Sequence, residues 1–105
     1  MKVSLINSLA GDVILVSVGE RLDLSAYGGF GEAVALVKDN PSSEAIVVDL
    51  HSTRQLFDSG KAMLLTLREH AGRLRNRIYL TNAVPEIKRK LSQGKFPILF
   101  NIGQS

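Results

Sequence analysis

The stretch from Ile46 to Ala71 constrains the fold more than any other part of this chain. Ile46-Val47-Val48-Asp49-Leu50 is a short apolar run suited to a strand. His51-Ser52-Thr53-Arg54-Gln55-Leu56-Phe57 reads as a loop, and Asp58-Ser59-Gly60-Lys61 opens an amphipathic helical pattern over Ala62 to Ala71. An Asp-Ser pair at a helix start puts one hydroxyl where unpaired backbone N–H groups and the positive end of the helix dipole converge. That is a good seat for a phosphate. It is also an ordinary cap, since Ser and Asp are favoured N-cap residues. The residues alone leave both readings open.

The rest of the chain supplies elements of the same kind. Lys2 to Ile6 and Val13 to Val18 read as strands joined by a turn through Leu9-Ala10-Gly11-Asp12, which suggests a hairpin. From about Ser25 to Lys38, Phe30, Ala33, Val34 and Val37 recur at helical spacing. Gly28, Gly29 and Gly31 inside that pattern predict loose first turns. Asn40-Pro41-Ser42-Ser43 breaks the chain before a strand from Ala45 to Leu50. The next helix, Ser59 to about Gly72, is expected to turn Ala62 and Leu65 inward, with Met63 and Leu64 as further candidates, and Arg68, Glu69 and Arg73 outward. Arg77 to Leu80 reads as a strand, and Pro85 suits the first turn of a helix carrying Val84, Ile87 and Leu91, with Gly94 just beyond its end. Phe96 to Ile102 reads as a last strand, where Pro97 argues for an edge or an entry position. Strands alternating with helices from residue 45 onward predict an α/β fold. Its expected form is a mixed, mainly parallel sheet of about five strands with helices packed on it, in one domain spanning residues 1–105.

Composition excludes several classes. No run approaches the roughly 20 apolar residues that a membrane-spanning helix needs, and the start Met1-Lys2-Val3-Ser4-Leu5-Ile6 is interrupted too soon for a secretory signal. The absence of cysteine removes disulfides, thiolate metal sites and cysteine nucleophiles, which fits a cytoplasmic protein. Residues 1–60 carry four basic side chains against eight acidic ones, whereas residues 61–105 carry nine against two. A basic half invites nucleic acid, but only Tyr79, Phe96 and Phe100 there are aromatic, and all three fall in expected strands. A solvated basic face, or one meeting an acidic protein, is the better reading, with no specific nucleic acid and no membrane insertion expected.

Other motifs fail on spacing. Gly28-Gly29-Phe30-Gly31 lacks the spacing of a dinucleotide loop, and Gly60-Lys61 lacks both the Gly expected at position 55, which is Gln, and the Ser or Thr expected at position 62, which is Ala. Ser59 is not in a nucleophile elbow, and His70 lies about 16 Å along the helix from it. Two isolated histidines, His51 and His70, form no metal pattern, so no catalytic residue, metal or cofactor is expected.

Apolar strand, Asp49-Leu50, a six-residue gap, then Phe57-Asp58-Ser59-Gly60 leading into Leu64-Leu65 resembles the core motif of STAS domains, the bacterial anti-sigma factor antagonist family. Val18-Gly19-Glu20-Arg21-Leu22-Asp23 is similar to that family's G-E-L-D strand end, and Ile78 to Asn82 followed by Val84-Pro85-Glu86-Ile87 extends the likeness to about residues 12–102. Two departures stand out. Lys61 follows Gly60 where the family usually has a small residue, and the family commonly closes with a further helix, whereas this sequence stops at Asn101-Ile102-Gly103-Gln104-Ser105.

The resemblance implies a non-enzymatic bacterial regulator whose Ser59 is phosphorylated by an ATPase-type serine kinase that doubles as anti-sigma factor, with a cognate phosphatase restoring the hydroxyl. Asp58, Ser59, Gly60, Lys61, Thr53 and Arg54 are then the expected partner-contacting residues, Asp58 capping the helix and Lys61 offering charge compensation and tuning partner choice. Two other readings remain: an accessory STAS subunit binding the ATPase of a membrane transport complex, and an anion- or nucleotide-binding module using the helix end directly.

Overall fold

The elements alternate as the sequence predicts up to the helix opened by Pro85, with two short strands and two 3-10 turns added. In the computed structural model, which describes residues 1–103, β1 (Lys2–Ile6) and β2 (Asp12–Ser17) form an antiparallel hairpin. Gly11 takes φ +124° in the turn between them, a conformation open to glycine. Next come β3 (Arg21–Leu22), a 3-10 turn over Leu24–Ala26, α1 (Tyr27–Asp39), β4 (Ser43–Asp49), β5 (Gln55–Leu56) and α2 (Asp58–His70). A second 3-10 turn (Gly72–Leu74), β6 (Ile78–Thr81), α3 (Pro85–Leu91), α4 (Phe96–Leu99) and β7 (Asn101–Ile102) complete the order.

Five strands make one sheet in the order β1-β2-β4-β6-β7, antiparallel at the hairpin and parallel from β2 to β7. Burial alternates along it. Ile14, Val16, Ile46, Val48, Ile78 and Leu80 are wholly buried or nearly so, whereas Val13, Leu15 and Val47 are half-buried and Tyr79 is exposed. One face is therefore covered, and the core forms between it and the buried helical side chains Phe30, Ala33, Leu64, Leu67, Ile87 and Leu91.

Three expectations are corrected. The inward ridge of α2 is Gly60, Leu64 and Leu67, continued by Ala71, while Ala62 and Leu65 are exposed. Leu64, Leu65 and Leu67 are equally apolar, so hydrophobicity alone did not fix the helix phase; close packing at Gly60 does. The segment expected as a strand from Phe96 to Ile102 is instead α4 followed by the two-residue β7. Pro97 lacks an N–H, which the first turn of a helix does not use, and Phe96 and Phe100, four residues apart, stack with centroids 5.2 Å apart. Arg73 and Arg68 are more than solvated charges. Arg73 donates to the carbonyls of Asn40 and Ser43 and to the Ser43 hydroxyl, and Arg68 donates to Leu99 O and Asn76 Oδ1.

The glycines of α1 do not unwind it. The chain enters through the 3-10 turn, where the Asp23 carboxylate accepts from Ser25 N at 3.0 Å, and continues as regular helix from Tyr27.

Candidate functional site: the start of the second helix

Ser59 is positioned by a strap of backbone hydrogen bonds that joins two distant parts of the sequence. The carbonyl of Glu20 accepts from Arg54 N (2.8 Å) and Gln55 N (3.1 Å), and the carbonyl of Leu22 accepts from Phe57 N (3.1 Å). The Thr53 hydroxyl adds a bond to Gly19 O at 2.9 Å. These bonds make β3 and β5 a two-stranded parallel sheet beside the main one. Arg21 reinforces the junction from outside, its guanidinium 4.8 Å from the centroid of the Phe57 ring. The Val18–Asp23 and Phe57–Gly60 motifs, far apart in sequence, thus form one local structure.

Gly60 shows why the helix must begin here. A Cβ at this position would collide with the Leu22 carbonyl oxygen and carbon, so α2 lies directly on β3 only because residue 60 has no side chain. Phe57 is the N-cap residue in extended conformation, and its carbonyl accepts from Gly60 N (2.9 Å) and Lys61 N (3.0 Å). No side chain caps the helix. The expectation that Asp58 does so is corrected: Asp58 is the first helical residue, where its carboxylate complements the positive helix end without closing a cap. Ser59 follows in the second position, half-buried, next to amide groups that the helix itself does not use.

The expected contact residues divide by exposure. Asp58 and Arg54 are exposed, Ser59 and Lys61 half-buried, and Gly60 buried against β3. Arg54 also donates to His51 O (3.0 Å) and Thr53 O (3.2 Å), which shapes the loop. Thr53 is fully buried with its hydroxyl committed to Gly19, so it holds the loop and offers a partner no surface; this corrects its expected role.

Lys61 is also corrected. At about 100° per residue, positions 59 and 61 are about 200° apart around the helix, on opposite flanks. Ser59 lies on the flank that continues through Met63, Thr66 and His70, and those three line an apolar groove with Tyr27, Phe30 and Val34 of α1. Lys61 lies on the flank facing α4, with Nζ 5.9 Å from the centroid of the Phe96 ring. Its charge is therefore turned away from the Ser59 hydroxyl.

Sequence reasoning missed Arg21, Leu22 and Phe57 as the residues that seat the helix. The available signal was Gly60 itself, a glycine in a helix where alanine is ordinarily preferred. On the other side of the loop, the Asp49 carboxylate accepts from His51 N (3.0 Å) and Asn82 Nδ2 (3.2 Å), tying the ends of β4 and β6 together. Among the described residues no helix is long and apolar enough to cross a membrane.

Comparison with known proteins agrees with this geometry. No family model matches the sequence. A STAS-domain containing protein of Pseudomonas aeruginosa (strain UCBPP-PA14) is 33% identical over 102 residues, covering 97% of this chain and 99% of that protein. The chain belongs to the STAS-domain family. Among solved structures, the unphosphorylated form of the anti-sigma factor antagonist SpoIIAA matches with a TM-score of 0.70 at 11% identity, over 99% of this chain and 90% of that one. At that identity the likeness is one of fold, and it agrees with the mixed, mainly parallel sheet and its helices.

Proposed function

We propose that this protein is a non-enzymatic regulatory binding protein of the anti-sigma factor antagonist type, switched by phosphorylation of Ser59. The observation that carries the reading is the seat of Ser59: a half-exposed hydroxyl on the second residue of an uncapped helix, behind a loop fixed to β3. Its partner is an ATPase-type serine kinase that also acts as anti-sigma factor, with a phosphatase reversing the mark, and the setting is the bacterial cytoplasm. Family membership and the SpoIIAA-like fold support this class of partner.

The switch follows from charge. A phosphate adds about −1.5 to −2 charges beside Asp58, at the centre of the surface that docks. The free protein accommodates it, because the helix start supplies unpaired amides and a positive dipole end. A docked partner loses those compensations to burial and meets two negative groups at once.

The test uses a partner isolated from native lysate and titrated by calorimetry. Ser59→Ala is expected to bind like the unmodified protein. Ser59→Asp is expected to bind at least about tenfold more weakly, a difference of about 1.4 kcal/mol. Equal affinities for the wild type and both variants would sink the switch. Incubating the partner with ATP should also add one phosphate to the wild type and none to Ser59→Ala, read by intact mass.

A further inference from the structure

Beside α2, on the flank opposite Ser59, Lys61 of α2 and Arg89 and Lys90 of α3 converge on one shallow depression of about 360 Å³. Leu56 contributes an apolar wall, Gln93 a polar one, and Asp58 the single carboxylate. Among the described residues none of these four charges is in an ion pair, the one ion pair being Arg21 with Asp23.

Helix termini explain part of this arrangement and no more. Arg89 and Lys90 sit in the last turn of α3, where cations meet the negative end of the helix dipole. Lys61 comes from the first turn of another helix, where the dipole disfavours a cation, and it still lines the same depression. It is half-buried there, with Nζ 5.9 Å from the centroid of the Phe96 ring. Three cations around one concavity set up a positive field there that attracts a counter-charge. Other cations of the basic half, Arg68 and Arg73, are instead engaged by backbone carbonyls. Among the described residues Arg75, Arg77, Lys88 and Lys95 are in no ion pair either, but none of them lines this depression, where three cations meet a single carboxylate.

We propose that this depression is a second docking point for the protein partner, taking an acidic segment whose carboxylates pair with Lys61, Arg89 and Lys90 while an apolar side chain rests on Leu56. This rests on the reading of the protein as a partner-binding regulator, but not on Ser59 as its switch. The partner then grips the start of α2 from both flanks, one contact responding to phosphate and the other held by charge. Charge pairs at such a rim act mainly on association rate and salt dependence.

The test is a titration of the full chain with a short polyglutamate peptide at about 50 mM salt, followed through backbone amide shifts. Saturable shifts centred on residues 61, 89, 90 and 93 are expected, with affinity falling as salt rises. The Arg89→Glu/Lys90→Glu double variant should lose at least about tenfold in affinity, and the neutral Arg89→Gln/Lys90→Gln pair should lose less, which separates charge from any disturbance of α3. Ser59→Ala should bind the peptide unchanged, so a failed phosphorylation switch and a failed docking point give different patterns. Shifts spread evenly over Arg75, Arg77 and Lys95 would overturn the proposal. So would inorganic phosphate saturating the same residues at the same concentration, which marks a free-anion site, or an oligonucleotide of equal charge binding there more tightly, which marks a nucleic-acid surface.

Discussion

The inner ridge of α2 and its two flanks obey different physics. Along the ridge, space decides: Gly60 rests on the Leu22 backbone, and Leu64 and Leu67 are buried in the core. On the flanks, exposure and charge decide: Ser59 on one side, Lys61 on the other, Ala62 and Leu65 open to solvent between them. The proposed switch would place the change of charge on a residue whose replacement leaves packing untouched. α2 separates the two duties by a quarter turn.

Substitutions on the ridge should therefore dwarf those on the flanks. Leu64→Ala empties a fully buried position and is expected to cost about 2–5 kcal/mol in chemical denaturation. Gly60→Ala is expected to cost about 1–3 kcal/mol, because the added methyl must push α2 away from β3. A Gly60→Ala protein as stable as wild type would show that the helix is not seated as described. Ser59→Ala and Ser59→Asp are expected to stay within about 0.5 kcal/mol of wild type, as surface changes do.

How much of this was legible in the sequence follows the same division. The hairpin, β4, β6 and α3 could be read, because each satisfies a local period or a local signal such as Pro85. The phase of α2 could not, since the competing leucines differ only in what they meet in three dimensions. β3 and β5 were invisible for a related reason: two residues carry no period, and each is a strand only because the other is beside it. The placement of Ser59 at a helix start was legible, because its position in the motif is local, whereas the burial of Thr53 and the flank taken by Lys61 were not. Adjacency in sequence grouped both with Ser59, whereas a buried hydrogen bond withdraws Thr53 from the surface and the helical twist carries Lys61 to the opposite flank.

The strap beneath Ser59 offers a smaller effect. Thr53→Val keeps the shape of the side chain and removes its bond to Gly19 O, with an expected loss of about 1 kcal/mol. Amide exchange should quicken at Arg54, Gln55 and Phe57 more than in β4, since those donors hold the loop to β3. Uniform loss of protection across the sheet would mean that the strap and the core open together, and the contrast between ridge and loop would weaken.

The smallest expected effect lies just past the strap, at Asp23. Hydrogen bonds from the Ser25 hydroxyl and amide hold its carboxyl below the ordinary value of 3.8, with desolvation opposing them and Arg21 adding a smaller share. A carboxylate whose folded pKa is depressed contributes stability that is present above the unfolded value and is lost as pH falls through the folded one. The window is therefore acidic, below 3.8, and stability near neutral pH should not change with the titration of this group. Carbon-detected NMR of the Asp23 carboxyl should give a midpoint below 3.8 in the wild type and one shifted back upward in Ser25→Ala, which keeps the amide bond and loses the hydroxyl. An unchanged midpoint in that variant would assign the depression to the retained Ser25 amide together with Arg21. The turn entering α1 would then be held in part by the same guanidinium that lies over Phe57, and the seat of α2 would extend further along the chain than its hydrogen bonds alone suggest.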